Sequence, residues 1–171
     1  MGSKILITGT GRCGTTFLVR LFTILGLDTG YNEETMENFV YKNCNAGLET
    51  QNTNHTIIKS PKFSNNIKEL NKQFDIELVI VPIRNIIEAT DSRTKHKNQN
   101  GGFPPGINNR SEMLTENYRR IATLIQDLVI EDINYVLVNF HKMTKDPKYL
   151  FTILEPLVNR YSINYVTFIT A

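Results

Sequence analysis

The most constraining stretch of this chain is its start. Lys4-Ile5-Leu6-Ile7-Thr8 is apolar and β-branched, glycines follow at positions 9, 11 and 14, and Thr15 to Phe22 is apolar at helical spacing. The reading is strand, tight turn, helix. Three glycines in six residues let backbone amides turn toward a common centre, and the start of the helix adds partial positive charge. Such a turn is built to hold an anion with several oxygens. It also commits the chain to an α/β architecture, because a strand that feeds directly into a helix returns to a parallel neighbour.

The remaining periodicity agrees. Thr56 to Ile58 predicts a second buried strand, closed by Lys59-Ser60-Pro61, with a short amphipathic helix from about Ser64 to Phe74. Ile76 to Ile83 is almost continuously apolar, as in a parallel strand covered on both faces, with Pro82 confined to its end because it lacks an amide donor. Arg84 then emerges at the carboxyl edge, and Asn85 to Arg93 predicts a helix. Residues 94–109 contain Asn-Gln-Asn-Gly-Gly and Phe-Pro-Pro-Gly and predict a mobile loop, a candidate lid. Ser111 to Ile130 predicts a helix with Leu114, Tyr118, Ile121, Ile125 and Leu128 toward the core. Tyr135 to Phe140 reads as another buried strand, and a last helix begins near Lys145. Asp28 to Leu48 has only short periodic stretches and predicts an irregular or weakly helical segment that shapes an acceptor pocket. The expectation is a single domain over residues 1–171, a three-layer P-loop-like fold with a central parallel sheet and helices on both faces. Ligands of such sheets bind beyond the carboxyl ends of the strands, so Gly9, Lys59 and Arg84, each following a strand, should converge.

Composition narrows the partners. With 171 residues there is material for one sizeable core. A formal net charge of +2 is too small for a nucleic-acid tract. No apolar run approaches the roughly 18 residues of a membrane span, and residues 1–4 lack the regions of a signal peptide, so a cytoplasmic protein is expected. Cys13 and Cys44 are too few for a disulfide framework or a four-ligand zinc site. Cys13 would need an arginine six residues later for phosphatase chemistry, and position 19 is valine.

The loop Gly9-Thr10-Gly11-Arg12-Cys13-Gly14-Thr15-Thr16 has the spacing of the nucleotide-triphosphatase pattern GxxxxGK[ST], but Thr15 stands where that pattern needs lysine. Instead it resembles the 5′-phosphosulfate loop of sulfotransferases that use 3′-phosphoadenosine 5′-phosphosulfate. Arg84 followed eight residues later by Ser92 is similar to that family's 3′-phosphate element, Lys59-Ser60-Pro61 to its Lys-small-Pro step, and Lys145-Asp146-Pro147 to its late helix start. The resemblance spans roughly residues 4–155 and implies the family fold. It also implies a donor bound by Gly11, Arg12, Cys13, Gly14, Thr15, Thr16, Arg84 and Ser92, with adenosine 3′,5′-bisphosphate as the second product and no metal required. Arg12 and Lys59 would stabilise the transferring group. A base for the hydroxyl or amine acceptor would be Glu34 or Glu33, with His55 the candidate if the small-molecule branch is the guide. The chain has no basic, glycine-containing loop near its C-terminus to finish the 3′-phosphate site, which leaves Arg93, Lys95 or Lys97 to substitute. A small P-loop kinase using ATP and a catalytically silent nucleotide-binding module are the rival readings.

Overall fold

The computed structural model describes residues 2–50 and 52–171. Four parallel strands form the central sheet: β1 (Lys4–Ile7), β4 (Ile57–Lys59), β5 (Ile76–Ile83) and β6 (Tyr135–Asn139). Their order is β4-β1-β5-β6. The register places Ile5 beside Ile57 on one side and Leu78 on the other. Pro82 lies one residue before the end of β5, opposite Val138 and beyond Ile80, the last residue that β1 pairs with. Its missing amide therefore falls where only β6 is alongside.

Strand alternation sends side chains to two cores. On one face Ile5, Ile7, Ile57, Leu78 and Ile80 pack with α1 (Thr15–Ile24) and with the C-terminal helices α6 (Pro147–Ile153), α7 (Glu155–Arg160) and α8 (Tyr165–Thr170). On the other, Leu6, Ile58, Val79 and Val81 pack with α2 (Ile67–Gln73) and α4 (Arg110–Ile130). The result is the three-layer α/β arrangement expected. The short α5 (Phe140–Met143) follows β6 directly, and α6 starts as foreseen, with Asp146 accepting from the Tyr149 amide at 2.9 Å and Pro147 in the first turn. Among the described residues no helix is long and apolar enough to cross a membrane.

Three expectations need correction. The buried seam of α4 runs through Met113, Asn117, Leu124 and Leu128, while Tyr118 is 52% exposed. A polar residue hid the true stripe: Asn117 is fully buried and its Nδ2 donates to Thr90 Oγ1 at 2.9 Å, joining α4 to α3 (Ile86–Lys95). Next, β6 is an edge strand rather than a buried one, with Leu137 exposed. Finally, the segment after α1 is more ordered than its composition indicates. It contains a 3-10 turn at Met36–Phe39 and a hairpin of β2 (Val40–Tyr41) and β3 (Ala46–Gly47). Two-residue strands are too short to write a periodic pattern.

Candidate functional site

The loop after β1 is wound through positive φ at Gly9, Gly11, Arg12 and Gly14. That conformation is open to glycine and strained for Arg12, which has φ 58°. Gly14 caps α1 without any side-chain bond to the helix amides. Thr15 and Thr16 at the helix start are buried. At Gly11 even a methyl group would collide with the Arg93 guanidinium.

Charge is concentrated around this loop. Arg12 donates from Nε to Ser92 Oγ at 3.0 Å and from Nη1 to the Cys44 carbonyl. Arg84 donates from Nη1 to the Arg12 carbonyl at 3.2 Å, pairs with Glu88 at 3.1 Å, and stacks its guanidinium 4.6 Å from the Phe140 ring centroid. Arg93 is 93% buried by its 7% exposure. It donates to the Thr10 carbonyl at 2.8 Å and the Gly102 carbonyl at 2.5 Å, and its Nε has no partner among the described residues. Burial pushes the Arg93 guanidinium down to about 10, with the nearby Arg120 adding to the effect. Burial likewise lowers Arg12, and Arg84 adds to that lowering. Three guanidiniums thus crowd one loop and spend themselves largely on backbone carbonyls. Such a cluster favours an anion with several charges.

The third element is Lys59, at the end of β4. Its side chain is buried, and Nζ donates to the Gly47 carbonyl at 2.8 Å and the Glu49 carboxylate at 2.5 Å. Thr16 Oγ1 donates to the same Gly47 carbonyl at 3.2 Å, which ties the loop helix and the lysine to one atom. The Lys59 amide donates to Thr50 Oγ1 at 2.6 Å and the Thr50 amide to the Lys59 carbonyl at 3.0 Å. This short side-by-side run carries Glu49 to the lysine.

Two solved structures resemble this arrangement of elements. The sulfotransferase domain from the Synechococcus PCC 7002 olefin synthase superposes with a TM-score of 0.50 at 16% identity, covering 90% of this chain and 72% of that one. The sulfotransferase domain from the curacin biosynthetic pathway superposes with a TM-score of 0.51 at 11% identity, covering 96% of this chain and 75% of that one. The chain has the sulfotransferase fold. No protein-family model and no curated protein sequence matches it, so the likeness is one of backbone architecture.

Within that fold, the residues singled out from the sequence divide into two groups. Gly11 to Thr16, Lys59, Arg84 and Ser92 come together at the carboxyl edge of β4, β1 and β5, linked by the bonds just described. Cys13 lies at the base of the loop, fully buried, and burial pushes its thiol up, so it fills space rather than acting as a thiolate. Glu33 and Glu34 are exposed and make no hydrogen bond or ion pair among the described residues. His55 pairs with Asp28 at 2.7 Å just before the start of β4, four residues from Lys59, or roughly 13 Å along an extended chain. Sequence reasoning passed over Glu49, the carboxylate that actually meets Lys59. No local pattern marks it, because its position follows from pairing between Thr50 and Lys59, nine residues apart. It also assigned Arg93 only a substitute's part, whereas this residue joins the glycine loop to the 96–109 loop. The hydrophilic loop tip is further tied by Asn43 Nδ2 donating to Gln99 Oε1 at 2.6 Å.

Proposed function

We propose that this chain transfers a sulfuryl group from 3′-phosphoadenosine 5′-phosphosulfate to an acceptor hydroxyl or amine. The observation that carries the reading is the contact of Arg12 with Ser92 at 3.0 Å, reinforced by Arg84 on the Arg12 carbonyl. It brings a phosphate-type loop and a second anion element side by side, on a fold shared with sulfotransferase domains.

The donor fits what the residues offer. Gly11, Arg12, Cys13, Gly14, Thr15 and Thr16 would hold the 5′-phosphosulfate through backbone amides, hydroxyls and the Arg12 guanidinium. Arg84 and Ser92 would hold the 3′-phosphate, where a guanidinium forms paired bonds to phosphate oxygens. Bound there, the donor supplies an activated sulfuryl group whose leaving group is a phosphate. Lys59 and Arg12 then place positive charge where negative charge develops. The acceptor proton goes to a carboxylate. Glu34 and Glu33 are the candidates by resemblance, and Glu49 is the candidate by geometry, since it alone among the three touches Lys59. No metal takes part in this scheme, and the compartment proposed is the cytoplasm.

Calorimetric titration with adenosine 3′,5′-bisphosphate and, separately, with ATP and magnesium tests the reading. The expected result is bisphosphate binding that weakens sharply in Arg84→Ala. Preference for ATP with magnesium would sink it and make a small P-loop kinase the leading account.

A further inference from the structure

The two edges of the central sheet are finished differently. At the β4 edge the backbone groups that face away from β1 are taken up. The Ile57 amide donates to the Asp28 carbonyl at 2.9 Å, the Thr50 amide to the Lys59 carbonyl at 3.0 Å, and the Lys59 amide to Thr50 Oγ1 at 2.6 Å. At the β6 edge the Val79 amide of β5 donates to the Asn134 carbonyl at 2.9 Å. Backbone groups alternate in direction along a strand, so Tyr135, Leu137 and Asn139 turn theirs away from β5. The Asn139 amide is capped by the Tyr149 hydroxyl at 2.9 Å. The backbone amides and carbonyls of Tyr135 and Leu137 have no hydrogen-bond partner among the described residues.

Folded proteins guard such an edge with charge, proline, a bulge or a covering segment. β6 reads Tyr-Val-Leu-Val-Asn, with neither a charge nor a proline, and Leu137 at its middle is 42% exposed. Just before the strand, Val129 and Ile130 end α4 at 60% and 59% exposure. Charge at the two ends says which strand fits. Asp132 stands five residues before Leu137 and Lys142 five residues after it; both are exposed, and neither forms an ion pair among the described residues. A parallel copy would set acid beside acid. A copy entering antiparallel about Leu137 sets each Asp132 end beside a Lys142 end.

We propose that this protein forms a two-fold dimer in which β6 pairs antiparallel with β6 of a second copy, centred on Leu137. Leu137 and the partner's Leu137 exchange both of their amide-to-carbonyl hydrogen bonds, and the Asp132 and Lys142 ends meet crosswise on either side. The sheet becomes continuous over eight strands, four from each copy. Its outer edges are then both β4 edges, already closed, so growth stops at two copies. The two β6 strands run in opposite directions, so the glycine loops, at the carboxyl edges of their sheets, open on opposite sides of the dimer. With so short a ladder the dimer belongs with the weak, reversible interfaces. It is independent of the sulfuryl-transfer reading.

Sedimentation velocity on the full chain, at concentrations up to about 1 mM, tests the pairing. The sedimentation coefficient should rise from that of a monomer toward that of a dimer and no further, while the Leu137 amide gains protection from hydrogen exchange. Leu137→Lys sets two like charges together on the axis and should weaken association about tenfold. Its side chain is exposed, so the change leaves the core intact. Asp132→Lys and Lys142→Glu should each weaken association about fivefold, and the two together should restore it, because each copy then offers the reversed pair. Asp132 has φ 52°, so Asp132→Lys carries a folding cost of its own; the double variant shares that cost, which therefore cannot produce the rescue. A chain that stays monomeric throughout, a dimer indifferent to Leu137→Lys, charge reversals without rescue, or assemblies larger than two copies would each overturn the proposal.

Discussion

The two sides of the site are built by different means. On the donor side, a loop with four positive-φ residues is fastened by Arg12, Arg84 and Arg93 to Ser92 and to the carbonyls of Cys44, Arg12, Thr10 and Gly102. Beside it, a 3-10 turn and a hairpin of two-residue strands are held by aromatic contact, by Lys59 reaching Gly47 and Glu49, and by Thr16 and Arg12 on the Gly47 and Cys44 carbonyls. A phosphate has a fixed shape and charge, so the side that meets it needs particular residues at particular spacings. An acceptor need only fit, and packing can provide that from many sequences. Lys59 joins the two through Gly47, with Thr16 on the same carbonyl and Arg12 on that of Cys44.

That contrast predicts its own failures. The largest effect is expected at the shared residue: Lys59→Met should lower kcat about a hundredfold, or about 3 kcal/mol in the transition state, with a much smaller change in bisphosphate affinity. Equal losses in both would place Lys59 wholly on the donor side. Next, Arg84→Ala should weaken bisphosphate binding roughly thirtyfold, about 2 kcal/mol, as measured by calorimetry. Gly11→Ala then probes the loop itself. The residue has φ 78° and its methyl would strike Arg93, so thermal unfolding should show a loss of about 1–2 kcal/mol, together with weaker bisphosphate binding.

The smallest effect is expected in the layer behind the donor side. In α4, hydrogen bonds from Arg119 first and from Arg120 hold the Glu116 carboxyl down to about 2, against an ordinary 4.5. The unfolded chain therefore takes up the proton at a higher pH than the folded one. The contribution is complete above about pH 4.5 and is lost as pH falls through about 2. It should amount to about 1 kcal/mol at most, because Arg119 is exposed. Glu116→Gln should flatten that part of an acid unfolding profile while leaving bisphosphate affinity at neutral pH unaltered, and a change in affinity would tie α4 to the site.

The same contrast explains what could be read without coordinates. β1 and β5 were legible because their apolar runs lead directly into the glycine loop and into Arg84. The convergence of Gly9, Lys59 and Arg84 followed from parallel strands alone. Glu49 was not legible, because it reaches the site through a pairing of Thr50 with Lys59 that no periodicity records. The α4 stripe misled for a related reason: Asn117 is polar by type but spends its amide on Thr90 inside the protein.

The buried guanidinium of Arg93 has one further consequence. It belongs to α3, yet its bonds end on Thr10 and Gly102, in loops that precede α1 and α4. The loop around Thr10 is thereby made mechanically dependent on a loop more than 80 residues further along the chain, so that neither can be displaced without stripping a partner from a buried charge. Amide protons in the two loops should then exchange with solvent as a single cooperative unit, and whatever orders the first loop is transmitted to the second.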